Sequence, residues 1–167
     1  MRFSHYAVRS THYQMNRIQQ LFLDKPTKVL NVYFTAGYPQ LEDTMTIIKA
    51  LEQSGADLVE IGMPYSDPIA DGETIQQSNG VALANGMSIK VLFQQLKDLR
   101  KEVRIPVVLM GYINPIEQFG IEAFCEKCEE VGVDGLILPD LPMFEYQEKL
   151  KPIFEKHGLV NTFLITP

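Results

Sequence analysis

The sequence predicts an α/β protein with a parallel sheet, and three observations support this class. Short β-rich segments alternate with longer segments of helical period along most of the 167 residues. A repeated strand, helix, strand order requires parallel pairing, which leaves a doubly wound sheet or a (β/α) barrel. Two segments, starting at Ser54 and Val131, share the pattern of helix end, Gly, any residue, Asp and strand, as equivalent modules would. No Gly-x-Gly-x-x-Gly follows the first strand, so we favour the (β/α)8 TIM barrel.

The periodicity predicts five strands and six helices. The strands are expected at residues 28–35, 57–62, 105–112, 135–138 and 160–165. The helices are expected at residues 16–23, 41–54, 74–85, 89–102, 121–131 and 144–157. Local signals support these bounds, because Ser88 can cap the helix that follows it and glycines stand where helices should end, at Gly55, Gly86, Gly132 and Gly158.

The number of strands indicates how much of a barrel the chain supplies. A closed (β/α)8 barrel needs eight strands in about 250 residues. We therefore expect the chain to supply about βα units 1–4 plus strand 5 of such a barrel. These form one partial barrel domain over residues 16–167. We hypothesise that the chain is a fragment of a longer enzyme. Residues 1–15 are predicted to be an N-terminal extension with Met15 as a candidate start, since two arginines in the first fourteen residues give little support to a targeting peptide.

Composition and charge argue against several classes of function. The formal net charge is −6 and no basic cluster is interleaved with aromatic residues, so nucleic acid and anionic membrane surfaces are improbable partners. Every long apolar run is interrupted by a charge, glycine or proline, which predicts no membrane span and a cytoplasmic protein.

The two cysteines, Cys125 and Cys128, form a Cys-x-x-Cys sequence. A redox pair or half of a zinc site is one interpretation. We favour a structural one, because the sequence offers no second ligand pair and an i, i+3 spacing places both thiols on one helical face.

Glu60 is the first candidate for catalysis. Alternation along residues 57–62 places Leu58, Glu60 and Gly62 on one face and Val59 and Ile61 on the other. If the second pair faces the helices, Glu60 points into the barrel, at the carboxyl end of a buried strand where such barrels place catalytic groups. A structural glutamate bonded to nearby amides is the alternative.

The long loop that follows, residues 63–74, is rich in turn formers and carboxylates. Asp71 can return to the barrel mouth and pair with Glu60, so that one carboxylate transfers protons and the other stabilises charge. An N-cap of the next helix is the alternative role for Asp71. Asp67 can be a simple turn residue, and Glu73 is expected in the first helical turn without a catalytic role.

The segment 55–76, GADLVEIGMPYSDPIADGETIQ, closely resembles the signature of the tryptophan synthase alpha subunit family. Three other segments resemble it too: FTAGYP at 34–39, MGYINP at 110–115 and GVDGLILPDLP at 132–142. The similarity extends from about residue 16 to 167. Tyr65 and Glu73 depart from the family, which usually has phenylalanine and proline at these positions. A larger departure is that the sequence contains nothing after the fifth strand, where the family has its lid loop and phosphate-binding loops, so weak substrate binding by this chain alone is expected.

The resemblance implies a fold, a reaction and a set of site residues. The family is a (β/α)8 barrel that cleaves indole-3-glycerol phosphate to indole and glyceraldehyde 3-phosphate without metal or organic cofactor, in an alpha2-beta2 assembly with a beta subunit. Glu60 matches its acid and base, Asp71 the acceptor of the indole N–H, and Asp67 a loop residue that couples the site to the beta subunit. The positions that match the indole pocket are Tyr33, Met110, Tyr112, Ile137 and Pro139.

Two other functions remain open at this stage. The chain could be a non-catalytic half-barrel that binds or structures a beta-subunit partner through its sheet edges. It could also be another barrel of indole metabolism, such as indoleglycerol phosphate synthase. That enzyme is expected to need a lysine on a barrel strand, and no predicted strand interior contains one.

Overall fold

A computed structural model of the chain describes residues 15–68 and 71–165. Its five strands form one parallel sheet in which each strand pairs with the next along the chain. They are β1 (Asn31–Thr35), β2 (Leu58–Gly62), β3 (Val107–Met110), β4 (Gly135–Ile137) and β5 (Val160–Thr162). The predicted α/β class is confirmed, and the strand order is that of the first five strands of a TIM barrel. The predicted extension at residues 1–15 lies outside the described part except for Met15.

Helices connect the strands, and most lie where the sequence predicts them. They are α1 (Arg17–Asp24), α2 (Thr44–Gln53), α3 (Glu73–Ala84), α4 (Ile89–Leu96), α5 (Leu99–Glu102), α6 (Ile113–Phe119), α7 (Ile121–Val131), α8 (Met143–Glu145) and α9 (Lys151–Lys156). A 3₁₀ turn at Leu41–Asp43 precedes α2, and a π turn at Tyr146–Leu150 separates α8 from α9. Within the ranges described, none of these helices is long and apolar enough to cross a membrane.

Local sequence explains the helix ends. Asn16 caps α1 with a reciprocal capping box to Gln19, and Ser88 Oγ accepts a hydrogen bond from the Val91 N–H, which confirms that predicted cap. The four predicted terminal glycines all have positive φ angles, between 68° and 95°, a conformation that a side chain would penalise.

Apolar side chains pack on both faces of the sheet, as a barrel wall requires. Val59 and Ile61 of β2 belong to the large core between sheet and helices, where they are fully buried. Leu58, Val108 and Ile137 form the inner cluster, which Ile18 of α1 packs against. Helix α1 therefore covers part of the inner face of the sheet.

The repeated Gly-x-Asp pattern has the same structural role in both copies. Asp57 accepts the Leu30 N–H at 2.7 Å and donates its own N–H to the Leu30 carbonyl at 2.9 Å. Asp134 exchanges the equivalent pair of bonds with Val107, at 2.8 and 2.9 Å. Each aspartate thus fastens the start of its strand to the start of the strand before it, and these are the modules that the repeat predicts.

Three predicted elements differ from the structure. Helix α6 was predicted as loop and strand end, but β3 ends at Met110 and Pro115 lies in the first helical turn, where its missing N–H costs little. The predicted helix 89–102 is interrupted between α4 and α5. The predicted helix 144–157 contains the π turn just before Pro152, whose ring cannot be accommodated in a regular helix interior.

Candidate functional site

Glu60 lies on the inner face of the sheet, as the alternation predicts, because its neighbours Val59 and Ile61 pack into the outer core. One detail of the prediction is wrong, because Glu60 is the third of the five residues of β2 rather than at the strand end. Its side chain is half-buried. Its carboxylate accepts a hydrogen bond from Asn31 Nδ2 at 2.7 Å. Glu60 therefore has an amide partner on β1. The alternative interpretation, a structural glutamate, also predicts such a partner.

A shallow cleft opens at the carboxyl edge of β1 to β4. It is lined by Tyr33, Gly62, Met63, Asp71, Asn79, Met110, Gly111, Tyr112 and Pro139. Four of the five residues predicted to form a pocket thus meet there. Ile137 does not line the cleft, because its side chain is buried in the inner cluster.

Tyr33 occupies the middle of this site. It is in register with Glu60 on the paired strand, and its phenol crosses above Gly62, where an added Cβ would lie 2.2 Å from Tyr33 Oη. Burial, first of all, raises the pKa of the Tyr33 phenol, and the negative charges of Asp71 and Glu60 raise it further. The Tyr33 phenol therefore lies in the electrostatic field of both predicted carboxylates.

Asp71 is held at the cleft by the helix that follows it. Its carboxylate Oδ2 accepts from Asn79 Nδ2 at 3.4 Å, and its backbone carbonyl accepts from Gln76 Nε2 at 2.8 Å. Burial raises the pKa of Asp71, although the Asn79 hydrogen bond opposes that change. The alternative role of Asp71 as an N-cap is wrong, because Gly72 occupies that position and no side chain caps the helix. Glu73 lies in the first turn of α3, as predicted.

The loops around the cleft contact one another. The rings of Tyr65 and Tyr112 lie 5.1 Å apart between centroids, and Asn114 Nδ2 donates to Tyr65 Oη at 3.0 Å. The Ile113 N–H at the start of α6 donates to Asp140 at 3.0 Å. These contacts fasten the loops after β2, β3 and β4 to one another at the edge where the cleft lies.

Asp67 lies apart from the cleft. Its side chain is exposed and accepts a hydrogen bond from Ser66 Oγ at 2.6 Å.

The cysteines lie far from this cleft, on α7. Both are unpaired and buried, and burial raises the pKa of Cys125 to about 12 and that of Cys128 well above its ordinary value. Thiols of this kind are poor nucleophiles and poor metal ligands. Among the residues that the structure describes, no group of three or more His, Cys, Asp or Glu side chains could hold a metal ion.

A larger cavity, of about 620 Å³, lies at the opposite edge of the sheet. Its lining includes Arg17, Asp134 and His157. Arg17 and Asp134 already pair with each other at 2.9 Å, and catalytic sites in such barrels lie at the carboxyl edge of the strands. We therefore place the candidate site at the smaller cleft.

Three partners of the site were not anticipated from the sequence. Asn31 could have been found, because it alternates with Tyr33 and so shares the inner face of β1. Gln76 and Asn79 are spaced i, i+3 and so share a face of α3. Nothing in the sequence indicates that this face turns towards Asp71.

Comparison with known proteins gives consistent matches. Residues 21–167 match the family model for the tryptophan synthase alpha chain. The tryptophan synthase alpha chains of Flavobacterium psychrophilum and Flavobacterium johnsoniae are 60% and 58% identical over 153 residues, which is 92% of this chain and 60% of each relative. The crystal structure of tryptophan synthase subunit alpha from Legionella pneumophila superposes with a TM-score of 0.83 at 39% identity, covering 89% of this chain and 58% of that one. The chain thus spans about three-fifths of the length of the relatives it matches.

Proposed function

Because the chain belongs to the tryptophan synthase alpha chain family, we propose that it acts in tryptophan biosynthesis as a carbon–carbon lyase. The substrate is indole-3-glycerol phosphate and the products are indole and glyceraldehyde 3-phosphate. The observation that carries the proposal is the position of Tyr33, which is in register with Glu60 on the paired strand and lines the cleft together with Asp71. A cleft lined by aromatic and apolar side chains and by Asp71, with Glu60 on the strand beside Tyr33, suits an aromatic ring that must gain a proton and carry a positive charge.

Glu60 is proposed as the acid and base. Cleavage begins when the Glu60 carboxylic acid delivers a proton to C3 of the indole ring, which produces a cationic ring. The carboxylate then takes the proton of the side-chain hydroxyl while the bond between the ring and the side chain breaks. The electron pair of the broken carbon–carbon bond returns to the ring and restores indole. The carbon that carried the hydroxyl group becomes the aldehyde carbon, and Glu60 holds the hydroxyl proton and so regains its acid form.

Asp71 is proposed as the group that stabilises the cation. Its carboxylate accepts the indole N–H and provides a negative charge beside the protonated ring. Tyr33, Met110, Tyr112 and Pro139 would contact the ring, since they line the cleft. Ile137 would support the cleft without contacting the ring, because its side chain is buried in the inner cluster.

We propose that the chain binds a tryptophan synthase beta subunit, with Asp67 in the exposed loop as part of the coupling between the two sites. We also propose that it is cytoplasmic, like other soluble biosynthetic enzymes.

Indole release from indole-3-glycerol phosphate tests this function, measured with and without a tryptophan synthase beta subunit. The parent chain is compared with Glu60→Gln and with Glu126→Gln, an exposed glutamate of α7 that serves as the matched control. We expect release by the parent and by Glu126→Gln, and a loss of at least about 100-fold in Glu60→Gln. Equal rates in the parent and Glu60→Gln would contradict the role of Glu60. Binding of the beta subunit without any indole release would instead favour the half-barrel function.

A further inference from the structure

Two amide side chains of α3 hold Asp71 at separate points. Gln76 Nε2 donates to the Asp71 carbonyl at 2.8 Å, and Asn79 Nδ2 donates to the Asp71 carboxylate at 3.4 Å. Because they are three residues apart on one helix, the two amides face the same side. We propose that Gln76 and Asn79 form an amide clamp that positions the Asp71 carboxylate at the cleft.

The surroundings of Asn79 indicate that this side chain is not there for stability. It is only 3% exposed, and among the residues that the structure describes its buried Oδ1 has no hydrogen-bond partner. An unsatisfied buried acceptor destabilises a fold, and an apolar residue of similar size would avoid the cost. Within the part of the chain that the structure describes, the Asn79 side chain donates one hydrogen bond, and it goes to the Asp71 carboxylate.

The neighbouring polar residues of α3 have other partners. Gln77 Nε2 donates to Glu73 at 3.4 Å on the outside of the helix, and Ser78 Oγ bonds to Thr35 Oγ1 at 2.7 Å. Only residues 76 and 79, among those described in α3, donate from their side chains to Asp71. Gln77 is therefore a control of the same residue type on the same helix.

The clamp has a chemical consequence for the proposed reaction, and in this respect it rests on the proposed function. An amide N–H favours the ionised form of the carboxylate, and burial favours the protonated form. Because Asp71 must be anionic to stabilise a cationic ring, Asn79 keeps it in the useful state. Gln76 fixes the backbone from which that carboxylate projects. Both are positioning residues.

The test measures Asp71 itself and uses no substrate. Carboxyl ¹³C NMR gives the pKa of Asp71, amide hydrogen exchange reports on its N–H, and the thermal midpoint reports on stability. The variants are Asn79→Leu, Gln76→Ala and the control Gln77→Ala, each in the full chain.

We expect Asn79→Leu to raise the pKa of Asp71, because a donor to the charged form is lost, while the thermal midpoint stays the same or rises. Gln76→Ala should accelerate exchange of the Asp71 amide by about tenfold, since that N–H is bonded to Pro68 within the turn that Gln76 fastens. Gln77→Ala should change neither. An unchanged Asp71 pKa in Asn79→Leu together with unchanged exchange in Gln76→Ala would overturn the proposal. If Asn79→Leu does not fold, Gln76→Ala alone decides.

These readouts separate the clamp from the proposed function. A chain that releases no indole can still show the changes at Asp71, in which case the clamp stands and the reaction fails. If the chain is active, Gln76→Ala and Asn79→Leu should lower kcat by about tenfold and leave KM nearly unchanged, whereas Gln77→Ala should leave both constants unaltered.

Discussion

Replacing Asp134 by alanine should lower the free energy of unfolding by about 3 kcal/mol. The Asp134 side chain is 2% exposed and pairs with Arg100 at 2.5 Å and Arg17 at 2.9 Å, and it also accepts the Val107 N–H. Alanine would leave that buried N–H, at the start of β3, without a partner. The prediction therefore concerns a structural carboxylate at the edge of the sheet opposite the cleft.

The magnitude follows from what each partner loses. An unsatisfied Val107 N–H costs about 1–3 kcal/mol, because Val107 is fully buried. Arg100 is 17% exposed but keeps hydrogen bonds to the carbonyls of Gly132 and Ile105, both at 2.8 Å. The free-energy cost of removing its carboxylate partner is therefore lower than for an isolated buried charge. Arg17 is 46% exposed and adds little.

Urea denaturation followed by circular dichroism measures the change, since the chain has no tryptophan. Asp134→Asn retains an acceptor for the Val107 N–H and should cost only about 1–2 kcal/mol. The control, Asp98→Ala, breaks an exposed pair with Lys101 and should leave the urea midpoint unchanged. A loss below about 0.5 kcal/mol in Asp134→Ala would refute the reasoning.

Three other predictions concern burial and close packing. The raised pKa of Asp71 means that protonation favours the folded state, a contribution fully present below about pH 3.9 and lost as the pH rises through the folded pKa. Asp71→Asn should therefore have a higher thermal midpoint than the parent at pH 7, with no difference near pH 3. With its pKa near 12, Cys125 should resist a thiol reagent at pH 8, as should Cys128, until urea unfolds the chain; rapid labelling of the folded chain would contradict this. Gly62→Ala should displace the Tyr33 ring, seen as a changed ring resonance in NMR, because the new Cβ would clash with the phenol; an unshifted ring would contradict the close approach.

Much of the fold could be predicted because the local signals agree with the tertiary structure. Alternation placed Glu60 on the inner face, and glycines with positive φ marked the helix ends. Helix α6 was missed, because Tyr112 continues the apolar run of β3 and Pro115 is usually a helix breaker. Whether Pro115 ends a helix or lies in its first turn depends on where the strand stops.

The candidate site could be predicted only in part, since its partners are distant in sequence. The carboxylates and most of the pocket were identified from position and resemblance. The bond between Asn31 and Glu60 joins residues 29 apart, on two neighbouring strands. Such pairings depend on strand register, which periodicity alone does not determine.

Exchange of the C3 hydrogen of indole in D₂O tests the central claim most directly. It requires only the proposed proton transfer by Glu60 and the proposed charge stabilisation by Asp71, and no phosphate group has to bind. The rate is measured by the decay of the C3 proton signal in NMR for the parent, Glu60→Gln, Asp71→Asn and Glu126→Gln. We predict accelerated exchange with the parent and Glu126→Gln, and exchange at the buffer rate with Glu60→Gln and Asp71→Asn. Exchange by Glu60→Gln as fast as by the parent, or no acceleration by the parent at all, would contradict the account.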